Sequence, residues 1–348
     1  MKPDIVNYVT CPVCYSDLKI VGKKQQKGKE IESGELECAK GHSFPIIRGV
    51  PRLLASPEDV EQVKKSFSDK WRIFEDETFS EKEVEFQHKW YLERYGFGDT
   101  KKLNMFLKNK SCVLDAGCGV GRAVGWFSDG TENPVFGIDL SESVEIAHRH
   151  YGSRKKVYLI QADIMALPFR KETFDYISCD QVIHHTPQPE EAFNKLVHLL
   201  KSNGEIAVYT YRKPGPIREF CNDYIRERTT QMTVDECMKF AESITELGKA
   251  LAETKATVTI SKDIPLLDIN AGTYNLQRFI YWNIIKCFWD DEGNYERALA
   301  VNFDWYHPKY AYRYTPEELK KWFTNNKMSI ENFNLVESGI SIRGTKPT

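Results

Sequence analysis

The run Val113-Leu-Asp115-Ala-Gly117-Cys118-Gly119-Val-Gly121-Arg122 sets three glycines at alternate positions after an apolar stretch and an acid. Glycine permits positive φ and close backbone approach, so a strand-to-helix turn of this kind leaves its backbone open to a nucleotide-sized ligand. The dinucleotide pattern G-x-G-x-x-G is only partly met. Gly117 and Gly119 fit it, Arg122 holds the third position, and the last glycine comes one residue early at Gly121. The P-loop pattern G-x-x-x-x-G-K-[ST] is absent, which argues against pyrophosphate as the ligand.

Two further acids follow at useful distances. Asp139 closes the apolar run Pro134–Ile138, placed to accept bonds from a ribose diol. Asp163 stands just past Val157–Ile160 and could accept a bond from an adenine amino group. The stretch Phe174–Cys179 then runs into Asp180-Gln181-Val-Ile-His184-His185-Thr186-Pro187. A second constellation lies near the start of the chain. Cys11-Pro-Val-Cys14 and Cys38-Ala-Lys-Gly-His42 form a Cys₃His set, which suits a closed tetrahedral Zn²⁺ site; a redox C-x-x-C alone would not need Cys38 and His42.

The elements that must position these groups alternate as strand and helix. Residues 112–114, 134–138, 157–160, 174–179 and 205–211 read as strands, with a helix at Glu190–Lys201 and a turn at Ser202-Asn203-Gly204. Residues 57–108 are amphipathic, with Phe67, Trp71, Phe74, Phe86, Trp90, Tyr91 and Tyr95 spread through charged sequence. Core packing is the expected role for most of them, and the remainder would cover the ligand pocket. About 100 residues, 212–312, separate the fifth strand from a final helix at Thr315–Phe323 and a strand pair at 328–337 and 339–344. The insertion is helical at Val234–Leu251 and aromatic-dense beyond Tyr274, which predicts a lid or substrate domain.

These motifs together resemble class I S-adenosylmethionine (SAM) methyltransferases, in the branch of the ubiquinone/menaquinone methylases. The residues that carry the resemblance are VLDAGCGVGR (113–122), FGIDLS (136–141), ADIMALPF (162–169), FDYISCDQVIHHTP (174–187) and LLKSNGEIAVYTY (199–211). It implies an α/β fold: a Rossmann-like seven-stranded sheet with a small N-terminal zinc ribbon and the aromatic insertion after strand five. It also implies that Asp115, Gly117, Cys118 and Gly119 hold the methionine moiety, Asp139 and Leu140 the ribose, and Asp163 and Ile164 the adenine. Asp180 and Gln181 would line the wall near the reactive methyl group. The ribbon is similar to the zinc module of ribosomal RNA guanine-N1 methyltransferases and to a small zinc-ribbon subunit that activates several methyltransferases. Cys11, Cys14, Cys38, His42 and the segment Gly49-Val-Pro-Arg-Leu-Leu54 carry that likeness, and a longer lysine-rich hairpin departs from it.

Methyl transfer asks the protein to align a nucleophile, exclude water and, where needed, remove a proton. His185 is the first choice of base, followed by His184 and Asp180; Tyr211 and His307 are weaker candidates. The expected domains are 1–56 (ribbon), 57–108 (helical cap), 109–211 (SAM core), 212–312 (insertion) and 313–348 (core completion).

Composition bounds the partners. The chain has 348 residues and a formal charge of −2, so no global field drives it toward nucleic acid or membranes. Residues 1–56 carry nine Lys/Arg against six Asp/Glu, a mild local excess. No apolar run is long enough for a membrane span, the start is not a signal peptide, and nine dispersed cysteines suit a reducing cytoplasm. A small organic acceptor is the leading expectation. An RNA base, recognised through the ribbon, is the alternative, and a non-catalytic SAM-binding scaffold is a third. A homodimer is left open.

Overall fold

The computed structural model describes residues 1–55, 60–289, 292 and 294–348. The N-terminal module contains β1 (Leu18–Lys27), β2 (Glu30–Cys38), β3 (Ser43–Ile47) and β4 (Val50–Leu53). Helices α1 (Glu61–Ile73), α2 (Glu75–Thr78), α3 (Glu81–Arg94) and α4 (Thr100–Lys108) follow. The core then alternates as β5 (Val113–Ala116), α5 (Arg122–Gly130), β6 (Val135–Asp139), α6 (Ser143–Tyr151), β7 (Val157–Ala162), β8 (Phe174–Cys179), α7 (Pro189–Leu199) and β9 (Leu200–Arg212). The insertion holds α8 (Pro216–Thr229), α9 (Val234–Glu253), the hairpin β10 (Thr257–Ile260) and β11 (Gly272–Asn275), α10 (Leu276–Asn283) and α11 (Tyr295–Tyr306). The chain ends with β12 (Arg313–Tyr314), α12 (Pro316–Asn325), β13 (Ser329–Leu335) and β14 (Gly339–Thr345).

The core strands lie in the order β7-β6-β5-β8-β9-β14-β13. β7 to β9 are parallel, and β14 runs antiparallel to β9. Strand order reverses at β5, so a crevice opens at the carboxyl ends of β5 and β8, where open α/β sheets bind ligands. Alternate residues feed two cores. Leu114, Phe136, Tyr158 and Ile160 join one cluster, whereas Val113, Val135, Val157 and Leu159 join another. A sheet covered on both faces requires the near-continuous apolar strands seen in the sequence.

The N-terminal module is not a separate bead. β4 pairs in parallel with β7 (Arg52 with Gln161, Leu53 with Ala162), and β1 to β3 extend the same sheet outward. Ile5, Leu18, Leu36, Phe44 and Ile46 share the core that holds Phe136 and Tyr158. The expected boundary between residues 56 and 57 falls outside the described residues.

Three local expectations change. The helix expected to reach Lys201 stops at Leu199, and the turn at Ser202–Gly204 is absorbed into β9. Asn203, at φ +60°, lies within a slip in the β8–β9 register and takes up the extra residues there. β7 extends two residues beyond Ile160, because β4 supplies a pairing partner. The insertion is not purely helical and carries the hairpin β10–β11. The final helix has a complete capping box: Thr315 Oγ1 accepts from the Glu318 amide, and Glu318 accepts from the Thr315 amide.

Candidate active site

A cavity of about 1160 Å³ opens over the carboxyl ends of the core strands. Pockets for one drug-sized ligand run to about 300–1,000 Å³, so this one has room for two reactants. Three layers line it: the glycine turn and acidic strand ends below, helices α1 and α3 at the side, and the insertion above.

The glycine turn is built for close approach. Gly117 has φ +82°, and a Cβ there would stand 2.3 Å from the Val182 side chain. The turn amides, however, are engaged within the protein. Gly117 and Cys118 N–H both donate to the Ile138 carbonyl at 2.8 Å, and the Gly119 N–H donates to Asp139 Oδ2 at 2.8 Å. The expectation of a backbone left open to the ligand is corrected here. The amides stitch the end of β5 onto β6, and what the glycines supply is space.

The carboxylates that line the cavity differ in how they are held. Asp139 also accepts from the Ser141 amide and hydroxyl on Oδ1, which fixes its orientation. Asp163 caps a short helical turn by accepting from the Met165 amide on Oδ1, while its buried Oδ2 has no hydrogen-bond partner among the described residues. That orphaned acceptor, facing a cavity, fits a donor such as an adenine amino group. Asp115 is 3% exposed, and burial, with Asp180 and Asp139 nearby, raises its pKa well above the carboxylate range. A cationic ligand would relieve that cluster. Asp180 is held by Arg94 and by the Tyr95 hydroxyl. Leu140, Ile164, Cys118 and Gln181 complete the wall, Gln181 at φ +60°.

The predicted catalytic residues separate. His185 lines the cavity, and its Nδ1–H donates to the Tyr310 carbonyl at 2.6 Å, leaving Nε2 as the acceptor. Burial pushes its pKa down to about 4, so the ring is neutral. The Tyr211 hydroxyl lies 3.5 Å from that Nε2 and donates to Asp304 Oδ2 at 3.0 Å. Asp304 Oδ1 in turn accepts from Lys70 Nζ at 2.6 Å. Burial alone would raise the Asp304 pKa, but Lys70, His185 and Tyr211 hold it well below the carboxylate range. His184 is fully buried against Tyr211 and lies outside the cavity lining. His307 also lies outside it, tied by Nδ1 to Ser66 and by Nε2 to the Met232 carbonyl. Neither histidine lines the ligand space; His184 packs in the core against Tyr209 and Tyr211, and His307 ties the insertion to α1.

Helix α1 straps the cavity. Trp71 lies over the Gly119 turn, Phe67 packs edge-on to His185, and Ser68 accepts from the Glu142 amide of the core. Phe67, Trp71, Phe74, Phe86 and Trp90 line the cavity, while Tyr91 and Tyr95 are core. The expectation that most of these aromatics serve core packing is therefore reversed. Sequence reading missed Lys70, Asp304, Arg218 and Lys286. A single acid within the aromatic run Phe303-Asp304-Trp305-Tyr306 was the available signal for one of them.

At the far edge of the sheet, the side-chain ligand atoms of Cys11, Cys14, Cys38 and His42 all lie within 4.8 Å of one another. Cys14 and Cys38 sulfurs are 3.7 Å apart, and His42 Nδ1 stands 3.5 Å from Cys11 Sγ and 3.3 Å from Cys38 Sγ. Tetrahedral zinc with Zn–S about 2.3 Å and Zn–N about 2.0 Å needs ligand separations of roughly 3.5–3.8 Å. The donor set and spacing fit that ion. No described residue of the N-terminal module lines the cavity.

Residues 114–208 match the family described as "Methyltransferase domain". Methyltransferase GfsG of Streptomyces halstedii is 31% identical over 100 residues, covering 28% of this chain and 36% of that protein. Sterol 24-C-methyltransferase erg6 of Schizosaccharomyces pombe is 29% identical over 111 residues, covering 31% of this chain and 29% of that protein. The chain thus spans about a third of the length of these curated relatives. The crystal structure of magnesium protoporphyrin IX methyltransferase from Synechocystis PCC 6803 with bound SAM overlaps 84% of this chain and 99% of that one, at TM-score 0.42 and 14% identity.

Proposed function

We propose that this protein is a SAM-dependent methyltransferase whose acceptor is a small organic molecule enclosed beneath the insertion. The carrying observation is that one cavity is lined both by the Asp115, Asp139 and Asp163 strand ends of the methyltransferase domain and by the aromatic insertion. SAM, when bound, supplies an activated methyl group on a positively charged sulfur. Asp139 would take the ribose hydroxyls, Asp163 Oδ2 the adenine amino group, and Asp115 the methionine end. Trp71 and Phe67, on α1, keep water from the reacting centre. His185 Nε2 accepts the proton that the acceptor atom loses as its lone pair bonds to the methyl carbon. The name of one relative, a sterol methyltransferase, supports a small acceptor. The Cys₃His cluster is read as a structural zinc site, and nine free cysteines support a reducing, cytoplasmic setting. No helix among the described residues is long and apolar enough to cross a membrane.

The test is methyl transfer from tritiated SAM into host-cell extract split into RNA, protein and small-molecule or lipid fractions. Label in the last fraction supports the proposal. Nuclease-sensitive label in RNA overturns it in favour of an RNA base methyltransferase. SAM binding with no label in any fraction favours a non-catalytic scaffold. Once an acceptor is known, His185→Gln is expected to lower kcat by about 10²–10⁴-fold with little change in the KM for SAM. Because burial sets the His185 pKa to about 4, the base form prevails at neutral pH, and kcat should fall only as pH approaches that value. A loss under about threefold in kcat would remove His185 from proton transfer.

A further inference from the structure

The strand ends and the insertion each bring buried charges to the cavity, acids from the first and cations from the second. The lower end holds Asp115, Asp139 and Asp163, which suits a cationic cosubstrate. The upper end holds Arg218 and Lys286, 2% and 7% exposed. Arg218 sits in the first turn of α8, where the helix dipole adds positive potential. Its guanidinium lies 4.7 Å from the Tyr281 ring centre, 4.9 Å from that of Trp282 and 5.5 Å from that of Trp305. Its Nε and Nη1 are buried without a hydrogen-bond partner among the described residues. Lys286 Nζ lies 4.4 Å from the Trp305 ring centre and 5.7 Å from that of Tyr281.

The nearby carboxylates are committed elsewhere. Glu219 and Asp223, on the same helix as Arg218, both pair with Arg313. Asp304 is spent on Lys70 and Tyr211. Two cations thus share one aromatic corner with no carboxylate of their own among the described residues. Burial and Arg218 lower the Lys286 pKa, against Tyr281 and Asp304, which raise it; burial raises the pKa of Tyr281, but Lys286 and Arg218 outweigh it and bring that pKa down. Burying two like charges side by side, one of them with unbonded guanidinium nitrogens, is unfavourable unless a ligand supplies the counter-charge. A guanidinium offers a planar fork that matches a carboxylate or phosphate, and an ammonium beside it adds a point charge.

Building on the reading of the cavity as a methyltransferase site, we infer that the acceptor is an organic anion. Its carboxylate or phosphate group is bound by Arg218 and Lys286 against Tyr281, Trp282 and Trp305. Its nucleophilic atom then points down the cavity toward His185. The polarity of the cavity fixes this orientation, because an anionic group is repelled from the Asp115 end and drawn to the Arg218 end.

The test uses the full chain in low-salt, chloride-free buffer. Sodium phosphate, sodium benzoate and neutral benzamide are titrated with and without S-adenosylhomocysteine, following tryptophan fluorescence and Tm. Phosphate or benzoate is expected to bind and raise Tm, and benzamide to bind at least about tenfold more weakly. Arg218→Met and Lys286→Met should each weaken the anion about tenfold or more and leave S-adenosylhomocysteine affinity unchanged. Phosphate alone binding identifies a phosphate ester; benzoate alone identifies a carboxylate. The inference is overturned if neither anion binds, or if both variants bind the anion as the wild type does. Failure of S-adenosylhomocysteine to bind would instead overturn the cofactor reading, while the anion titration on the free protein still decides this one. Should Arg218→Met fail to fold, Lys286→Met carries the comparison.

Discussion

Cys38→Ser is expected to abolish stoichiometric zinc, lower Tm and weaken SAM binding together. Metal analysis of the wild type should give about one zinc per chain, and the variant close to none. Zinc in isolated small domains contributes roughly 10–16 kcal/mol of apparent binding energy, which becomes folding energy when the site exists only in the folded state. Here the module also packs on the main core through Phe44, Ile46 and Leu36, so part of its structure should persist. The expected drop in Tm is on the order of 10 °C. The effect on SAM follows from the sheet. β4 pairs with β7 immediately before Asp163. Arg52 also donates to Gln161 Oε1 at 3.1 Å, and Gln161 Nε2 donates to the carbonyl of cavity residue Leu140 at 2.9 Å. Loosening the N-terminal module should therefore loosen the Asp163 end of the cavity. Metal-free wild type of unchanged stability would refute the zinc assignment. Normal SAM affinity in a zinc-free, destabilised variant would refute the coupling alone.

Asp115→Asn should do two opposite things: stabilise the free protein and cripple SAM binding. Burial, and then the Asp180 and Asp139 carboxylates, raise the Asp115 pKa in the folded state. The sign follows from linkage. A carboxyl whose folded pKa is raised adds stability below its unfolded pKa, and that stability is lost as pH rises through the folded value. At neutral pH the ionised form is therefore a liability, and the isosteric amide removes it, so Tm of the ligand-free variant should rise. A cationic ligand prefers the carboxylate. SAM binding should then release a proton, with affinity increasing as pH rises through the Asp115 titration and flattening in the variant. A hydrogen bond to a charged group is worth about 1.5–3 kcal/mol, so SAM affinity should fall roughly 10–150-fold. Calorimetry in buffers of different ionisation enthalpy reads both quantities. Wild-type SAM affinity in Asp115→Asn would remove this residue from the site.

Much of the sheet was legible because its strands are short, β-rich and buried on both faces. Val113–Leu114, Val135–Phe136 and Phe174–Cys179 stand out as apolar runs ending in Gly or Asp. The Cys₃His cluster was legible for the same local reason, since paired donors three and four residues apart specify their own geometry. The β9 slip was not, because a bulge at Asn203 depends on the register of a neighbouring strand.

Sequence alone determined which residues have suitable chemistry near the strand ends. Asp115, Asp139, Asp163, Asp180 and His185 all line the cavity as well as standing in the motifs. Tertiary structure alone decided which of the other candidates reach that space. His184 and His307 have the right chemistry and point elsewhere, because helix and loop packing, not residue type, sets their direction. Lys70, Arg218, Lys286 and Asp304 lie as much as 234 residues apart along the chain in their pairings, as between Lys70 and Asp304. Each is an ordinary charge in an amphipathic segment until the insertion folds over the sheet. Removal from water then gives a single charge decisive weight, because the interior screens it far less than solvent does. That condition is a property of the folded cavity and is written in no local stretch of the chain.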